Sequence, residues 1–227
     1  MDSSTAYLFA ILEIAWINIL LSGDNAVVIA LACRSLPDTQ RRWGILLGSG
    51  AAILLRVGFA FIVTWLMAVP FLQAAGGALL LWIAIGLARG SGDSHNVTAH
   101  ATLWHAVRTI ALADMAMSLD NVVAIAAVAR GDHWLFISGL VLSIPLIVVG
   151  ATFISGMLER FPALVWAGAA LLGWVAGEMI GDDLALLSAL GLAHTSAVHY
   201  GAAVLCTLAT VAAAHWLRRG DKAGGAG

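Results

Sequence analysis

Ser22-Gly-Asp-Asn-Ala-Val-Val-Ile-Ala-Leu-Ala-Cys-Arg34 returns ninety-six positions later as Ser118-Leu-Asp-Asn-Val-Val-Ala-Ile-Ala-Ala-Val-Ala-Arg130, identical at seven of thirteen sites. A second pair of segments repeats at a nearby offset. Pro70 aligns with Pro162, and Gly76-Gly-Ala-Leu-Leu-Leu-Trp82 aligns with Gly168-Ala-Ala-Leu-Leu-Gly-Trp174. The duplication therefore runs from the first Asp-Asn motif through the second tryptophan-ended run, and it places two acid-amide dipeptides inside apolar stretches.

Working outward, the 227 residues are 61% hydrophobic and only 11% charged, with a mean hydropathy of +0.95. Average soluble domains carry about 25% charged residues, so this chain cannot cover a water-facing surface and reads as a membrane protein. A net charge of -2 offers no basic footprint for nucleic acid. Cys33 and Cys206 both lie in apolar runs, which excludes a disulfide scaffold or a cysteine-rich zinc site. The opening MDSSTAYLFA has none of the Lys or Arg of a secretory leader, so the first apolar stretch reads as a retained span.

A window of about 20 residues, enough helix to cross the hydrocarbon, predicts seven transmembrane helices: 7–33, 43–69, 71–88, 103–129, 134–157, 162–180 and 198–218. Turn sequences separate them, among them Leu36-Pro37-Asp38, Val69-Pro70, Gly90-Ser91-Gly92-Asp93, Arg130-Gly131-Asp132, Phe161-Pro162 and Gly181-Asp182-Asp183. Lys and Arg favour the cytoplasmic side. One face would hold Arg34, Arg41, Arg42, Arg89, Arg160, Arg218, Arg219 and Lys222, the other only Arg130. The amino terminus is thus expected outside and the carboxyl terminus in the cytoplasm. Trp43, Trp104, Trp134 and Trp216 fall near span ends, where an aromatic belt forms.

The expected fold is an all-α polytopic membrane protein, one membrane domain over 1–227. It holds repeat one at 7–88, a cytoplasmic linker at 89–102, repeat two at 103–180 and a seventh helix at 198–218. Three spans per copy is an odd number, so the second copy enters from the opposite face. The result is a pair of inverted three-helix repeats, a transporter's architecture.

The repeated element also carries the costly residues. A charge at the bilayer centre costs about 2.5 kcal/mol or more, so such side chains face a bundle interior or a wet cavity. Asp24 and Asp120 each lie seventeen residues into their span. Inversion brings Asp24-Asn25 and Asp120-Asn121 to similar depth as two half-sites. Asp114 precedes Asn121 by seven residues and Asn18 precedes Asn25 by seven, a spacing that returns to nearly the same helix face. Glu13 shares the face of Asp24 roughly 16 Å toward the outside and reads as an entrance or exit ligand. Carboxylate and amide oxygens are hard ligands suited to Mg, Ca or Mn. The metal set read here is Asp24, Asn25, Asp114, Asp120 and Asn121, with Glu13, Asn18, Ser22, Ser118, Arg56 and Glu178 as secondary or pathway residues. Met115 and Met117 flank Asp114 and would bias such a site toward manganese, although helix packing is their commoner use. Carboxylates bind metal only when deprotonated, so proton antiport is a physically reasonable coupling.

Other polar residues read more plainly. Ser22-Gly23 permits local unwinding that would expose carbonyls to a cation, while Leu119 stands in the second copy. Arg56 lies too deep to snorkel and is expected to pair with a carboxylate, Glu13 or Glu178. Arg108 snorkels. Gly173, Gly177 and Gly181, at four-residue spacing, favour close helix packing around Glu178. His95, His100 and His105 belong to a solvated loop. His199, Cys206 and His215 of the seventh helix suggest no chemistry.

The runs 22–30 and 113–125 resemble the paired motifs of the TerC family of integral membrane proteins, and the short chain resembles its YjbE-type subgroup. The resemblance covers helices 1 to 6. It implies a bacterial inner-membrane protein of the wider LysE-like transporter group, associated with manganese efflux, with metal supply to secreted enzymes and, for the founding name, with tellurium resistance. It also implies metal ligation by Asp24, Asp114 and Asp120 with Asn25 and Asn121. The function expected is export of a divalent cation, manganese first. A LysE-like small-solute or amino-acid exporter and a non-transporting membrane scaffold are the alternatives. An intramembrane hydrolase built on paired aspartates is the weakest reading, because nothing marks a substrate cleft. The partners expected are the lipid bilayer and the transported metal, with a homo-oligomer compatible, no tightly bound cofactor and no catalytic residue.

Overall fold

The computed structural model describes residues 11–12, 23–66, 69–89, 99–129 and 133–224. Every regular element among them is helical: α1 (Gly23–Cys33), α2 (Asp38–Leu66), α3 (Leu72–Arg89), α4 (Ala99–Ala129), α5 (His133–Arg160), α6 (Leu164–Asp182), the short α7 (Leu184–Ala189) and α8 (Ser196–Gly224). In lipid each backbone amide must be satisfied within its own segment, and a helix does this. Among the described residues four stretches are long and apolar enough to cross a membrane: Asp38–Phe59, Leu72–Arg89, Leu164–Asp182 and Ser196–Arg219. α4 and α5 are 31 and 28 residues long. The first expected span, 7–33, lies largely outside the described residues, which hold its last turns as α1.

The helices overrun the sequence expectations where polar residues follow the apolar run. α2 begins at Asp38 rather than 43, with the Arg41 amide donating to Pro37 O at 2.8 Å and an Asp38–Arg41 ion pair at 3.2 Å one turn in. α8 continues through Arg218 and Arg219 to Gly224. Hydropathy marks only the part of a helix that lipid covers. α5 contains Pro145, which removes one amide donor from its ladder and is tolerated in membrane helices.

The chain divides into two compact units, Met1–Leu66 with Leu103–Gly156, and Met67–Thr102 with Met157–Gly227. In the first, α1 packs against α2 and is enclosed: Val28, Ile29, Ala30 and Leu31 are buried on successive faces, the pattern of a helix with no solvent or lipid side. Gly44 and Gly48 of α2 make room. A Cβ on Gly44 would lie 2.9 Å from Cys33 Sγ and from Leu36 Cδ1, and one on Gly48 would overlap Ile110 of α4.

In the second unit α6 stands between α3 and α8. Its Gly173, Gly177 and Gly181 line the contact with α8. A Cβ on Gly177 would sit 2.5 Å from Ala202 O and Ala203 Cα, and one on Gly173 would sit 2.7 Å from Thr210 Oγ1. Thr210 turns its hydroxyl back to Cys206 O at 2.8 Å, so the close contact buries no unsatisfied donor there. From α3, Gly77 approaches Ala176 O, 2.6 Å from where its Cβ would be. Small residues on both sides let backbones meet, which is how helices gain dispersion contact in lipid. Asp183 joins the ends. Its Oδ1 accepts from the Leu186 amide as N-cap of α7, and its Oδ2 accepts from the Ala74 amide in the first turn of α3, both at 2.9 Å. α7 stops at Gly191, with φ +68°, where the Leu192 amide reaches Leu187 O and the Gly191 amide reaches Ser188 O, a Schellman ending.

Candidate cation site

The polar centre of the first unit is built from α1, α2 and α4. Asp114 and Ser118 are four residues apart and so share a face of α4, and Arg56 reaches them from α2. Their exposures are 3%, 0% and 1%. Both oxygens of Asp114 are engaged. Arg56 donates to Oδ1 through Nη2 and, at 3.1 Å, through Nε, and Ser118 Oγ donates to Oδ2 at 2.7 Å. Arg56 Nε also lies 3.2 Å from Ser118 Oγ, which closes a three-residue ring of hydrogen bonds. Charge-assisted bonds of this two-point kind are the strong ones, and their planar fork suits Arg better than Lys.

Asp24, in the first described turn of α1, accepts from the Asn25 amide at 2.8 Å and from Asn25 Nδ2 at 3.2 Å through the same Oδ1. Asn25 is buried and Asp24 half-buried. Asp24 lies within electrostatic reach of both Arg56 and Asp114. Two carboxylates and one guanidinium therefore share the interior of this unit.

The structure brings Arg56, Asp114 and Ser118 into contact and joins Asp24 to Asn25 in the same unit. The α4 backbone carries Asp120 and Asn121, one and a half turns or more beyond Asp114; their side chains lie outside the described residues, as do Glu13, Asn18 and Ser22. The deep arginine does pair with a carboxylate, and among the described residues that carboxylate is Asp114; Glu178 belongs to the second unit, and Glu13 lies outside the described residues. Asp114 had been assigned wholly to metal ligation, and nothing in linear spacing links α2 to α4. Met117 is buried and Met115 is 40% exposed, so Met115 points away from this centre. Among the described residues no three His, Cys, Asp or Glu side chains converge to hold a metal.

Glu178 belongs to the second unit, where its Oε1 lies 3.5 Å from His199 Nε2. The other ring nitrogen of His199 meets Asp182 Oδ1 at 2.7 Å, and His194 Nε2 meets the same oxygen at 3.1 Å. The imidazole of His199 stands edge-on to Tyr200, ring centres 4.8 Å apart. Sequence reasoning left His199 without a role. The available signal was the pair Glu178 and Asp182, four residues apart on one face of α6, facing a histidine in the first turn of the next long helix.

A helical integral membrane protein with a ring of charge closed inside one bundle and a glycine-packed bundle beside it in sequence is the class these elements define. The sequence matches the integral membrane protein TerC family over residues 3–222, and the chain belongs to that family. It is 44% identical to the uncharacterized membrane protein YjbE of Bacillus subtilis over 177 residues, 78% of this chain and 81% of that one. It is 27% identical to YkoY of the same organism, covering 93% of this chain and 74% of the relative. With the inner membrane protein YoaE of Escherichia coli it shares 24% identity over 68% of this chain and 34% of the relative. No solved structure matches it.

Proposed function

We propose that the protein is a carrier, not an enzyme, that exports a divalent metal cation, manganese first, by proton antiport through the Asp-Asn motifs. The observation that carries this is the interior of the first unit, where Asp114 is buried in contact with Arg56 and Ser118, and Asn25 is buried beside Asp24 at the start of α1. Membrane proteins retain such residues where they bind or conduct ions. The ligands are Asp24, Asn25, Asp114, Asp120 and Asn121, hard oxygen donors that suit Mn, Mg or Ca. Because Asp114 is held by Arg56 and Ser118, it joins the cation only after that ring opens. Glu13, Asn18 and Ser22 belong to the approach.

The division of the chain supports an inverted-repeat carrier. Elements that correspond by sequence fall in the same unit, α1 and α2 with most of α4 and α5, and α3 with α6. Repeats that exchange helices in this way suit alternating access about a shared centre. The inner membrane, with the amino terminus outside and the carboxyl terminus in the cytoplasm, follows from the Arg and Lys distribution. The Escherichia coli relative YoaE is an inner membrane protein, which agrees.

The test is manganese flux in sealed proteoliposomes holding a manganese-sensitive dye, with and without a pH gradient, for the wild type and for Asp120→Asn. The reading predicts flux in the wild type, stimulation by the gradient, and loss of both in the variant. Folded wild-type protein that moves no manganese, magnesium or calcium contradicts it.

A further inference from the structure

We propose that Arg56 is a tethered rival of the transported cation: its guanidinium occupies Asp114 when no metal is bound, leaves when the metal binds, and so allows the metal-free carrier to complete the return leg of its cycle. This rests on the transport reading and names how that same site is regulated.

The argument begins with occupancy. A divalent cation takes carboxylate oxygens at about 2.0–2.6 Å. Both oxygens of Asp114 are already engaged, Oδ1 by Arg56 and Oδ2 by the Ser118 hydroxyl with Arg56 Nε 3.4 Å away. Guanidinium and metal need the same lone pairs, and two cations on one carboxylate repel each other. Binding at Asp114 is therefore an exchange, not an addition.

The second step concerns the empty state. A buried carboxylate without a counter-charge is expensive in a membrane interior, and any site carboxylate that carries no proton on the metal-free return would have to be moved through the occluded form as a bare charge. Arg56 removes the difficulty because it is always charged and is fixed to the scaffold of α2. It lies at 1% exposure, so its charge is not shared with solvent. Asp24, within electrostatic reach of Arg56 and Asp114 alike, gives the displaced guanidinium a second carboxylate field to lean on. Ser118 is the positioning residue: it donates to Asp114 Oδ2 and lies 3.2 Å from Arg56 Nε, so it holds the pair in register.

The consequence is specific. A carrier whose metal-free form, with protons aboard or without them, cannot return still exchanges cation for cation across the membrane, but it cannot carry out net transport. Proteoliposomes loaded with manganese are assayed for net efflux and for exchange of radiolabelled manganese at equal concentrations on both sides. Wild type is expected to do both. Arg56→Gln is expected to raise the ratio of exchange to net efflux roughly tenfold or more, and Arg56→Lys, which keeps the charge, is expected to return that ratio toward the wild-type value. Monodisperse elution and the melting temperature report folding. If Arg56→Gln does not fold, Ser118→Ala carries the test, with a rise in the ratio of exchange to net efflux expected and an unchanged ratio overturning the proposal. Parallel loss of both modes in folded Arg56→Gln, or net efflux equal to wild type, overturns it and leaves the transport reading standing. Wild-type protein that neither exchanges nor effluxes manganese overturns the transport reading and this inference with it.

Discussion

Both units use glycines where their helices meet, but among the described residues only the first adds a fully buried ion pair between helices. In the first, α2 and α4 are joined through a buried arginine, aspartate and serine. In the second, α3, α6 and α8 are joined through glycines that let backbones touch, with charge kept to the end of α6 around His199. The glycine contact is the conventional arrangement for membrane helices. The charged ring is not needed for cohesion, since apolar replacements of buried ion pairs are often neutral or stabilising. On the transport reading, its presence inside one unit and absence from the described interior of the other separates a working region from a supporting one.

That contrast can be broken most severely at Asp114. Asp114→Ala leaves the Arg56 charge buried and unable to neutralise itself, so a loss of about 3–5 kcal/mol is expected, read as a lowered midpoint in denaturant unfolding. Arg56→Gln should cost less, because a lone carboxyl can take up a proton and a lone guanidinium cannot. The reverse order would mean that the ring is not the closed unit described above. In the second unit Gly177→Val places a side chain on the backbone of Ala202 and Ala203. It should cost about 1–3 kcal/mol by overpacking, with manganese exchange preserved in the protein that folds. Smallest is Asp183→Ala, which strips an N-cap from α7 and an acceptor from the Ala74 amide. About 1–2 kcal/mol is expected from thermal melting, without effect on flux.

The fold was legible in outline because hydropathy and turn chemistry are local. The third and sixth expected helices, 71–88 and 162–180, agree with α3 and α6 to within two residues at each end. Their apolar runs are bounded by Pro70 and Pro162 on one side and by Arg89 and Asp182-Asp183 on the other. The small-residue spacing at Gly173, Gly177 and Gly181 announced close packing, and α8 fills that face. What stayed hidden was tertiary. α7 is six residues stabilised by its caps, Asp183 and Gly191, and by no hydrophobic period. The depth of Arg56 revealed that it needed a carboxylate, but choosing Asp114 required knowing that α2 faces α4. His199 looked inert on its own helix, and only the approach of α8 to α6 sets it between Glu178 and Asp182.

The central claim is that the acids inside the first unit move a cation and are not there to hold the fold. It is tested most directly by measuring manganese flux and melting temperature side by side for the wild type, Asp24→Asn and Asp120→Asn in the same proteoliposome preparation. The account predicts that both variants lose flux to background while melting within a few degrees of the wild type, since each change keeps the shape of the side chain and removes one charge. Flux retained at the wild-type level in either folded variant would contradict it.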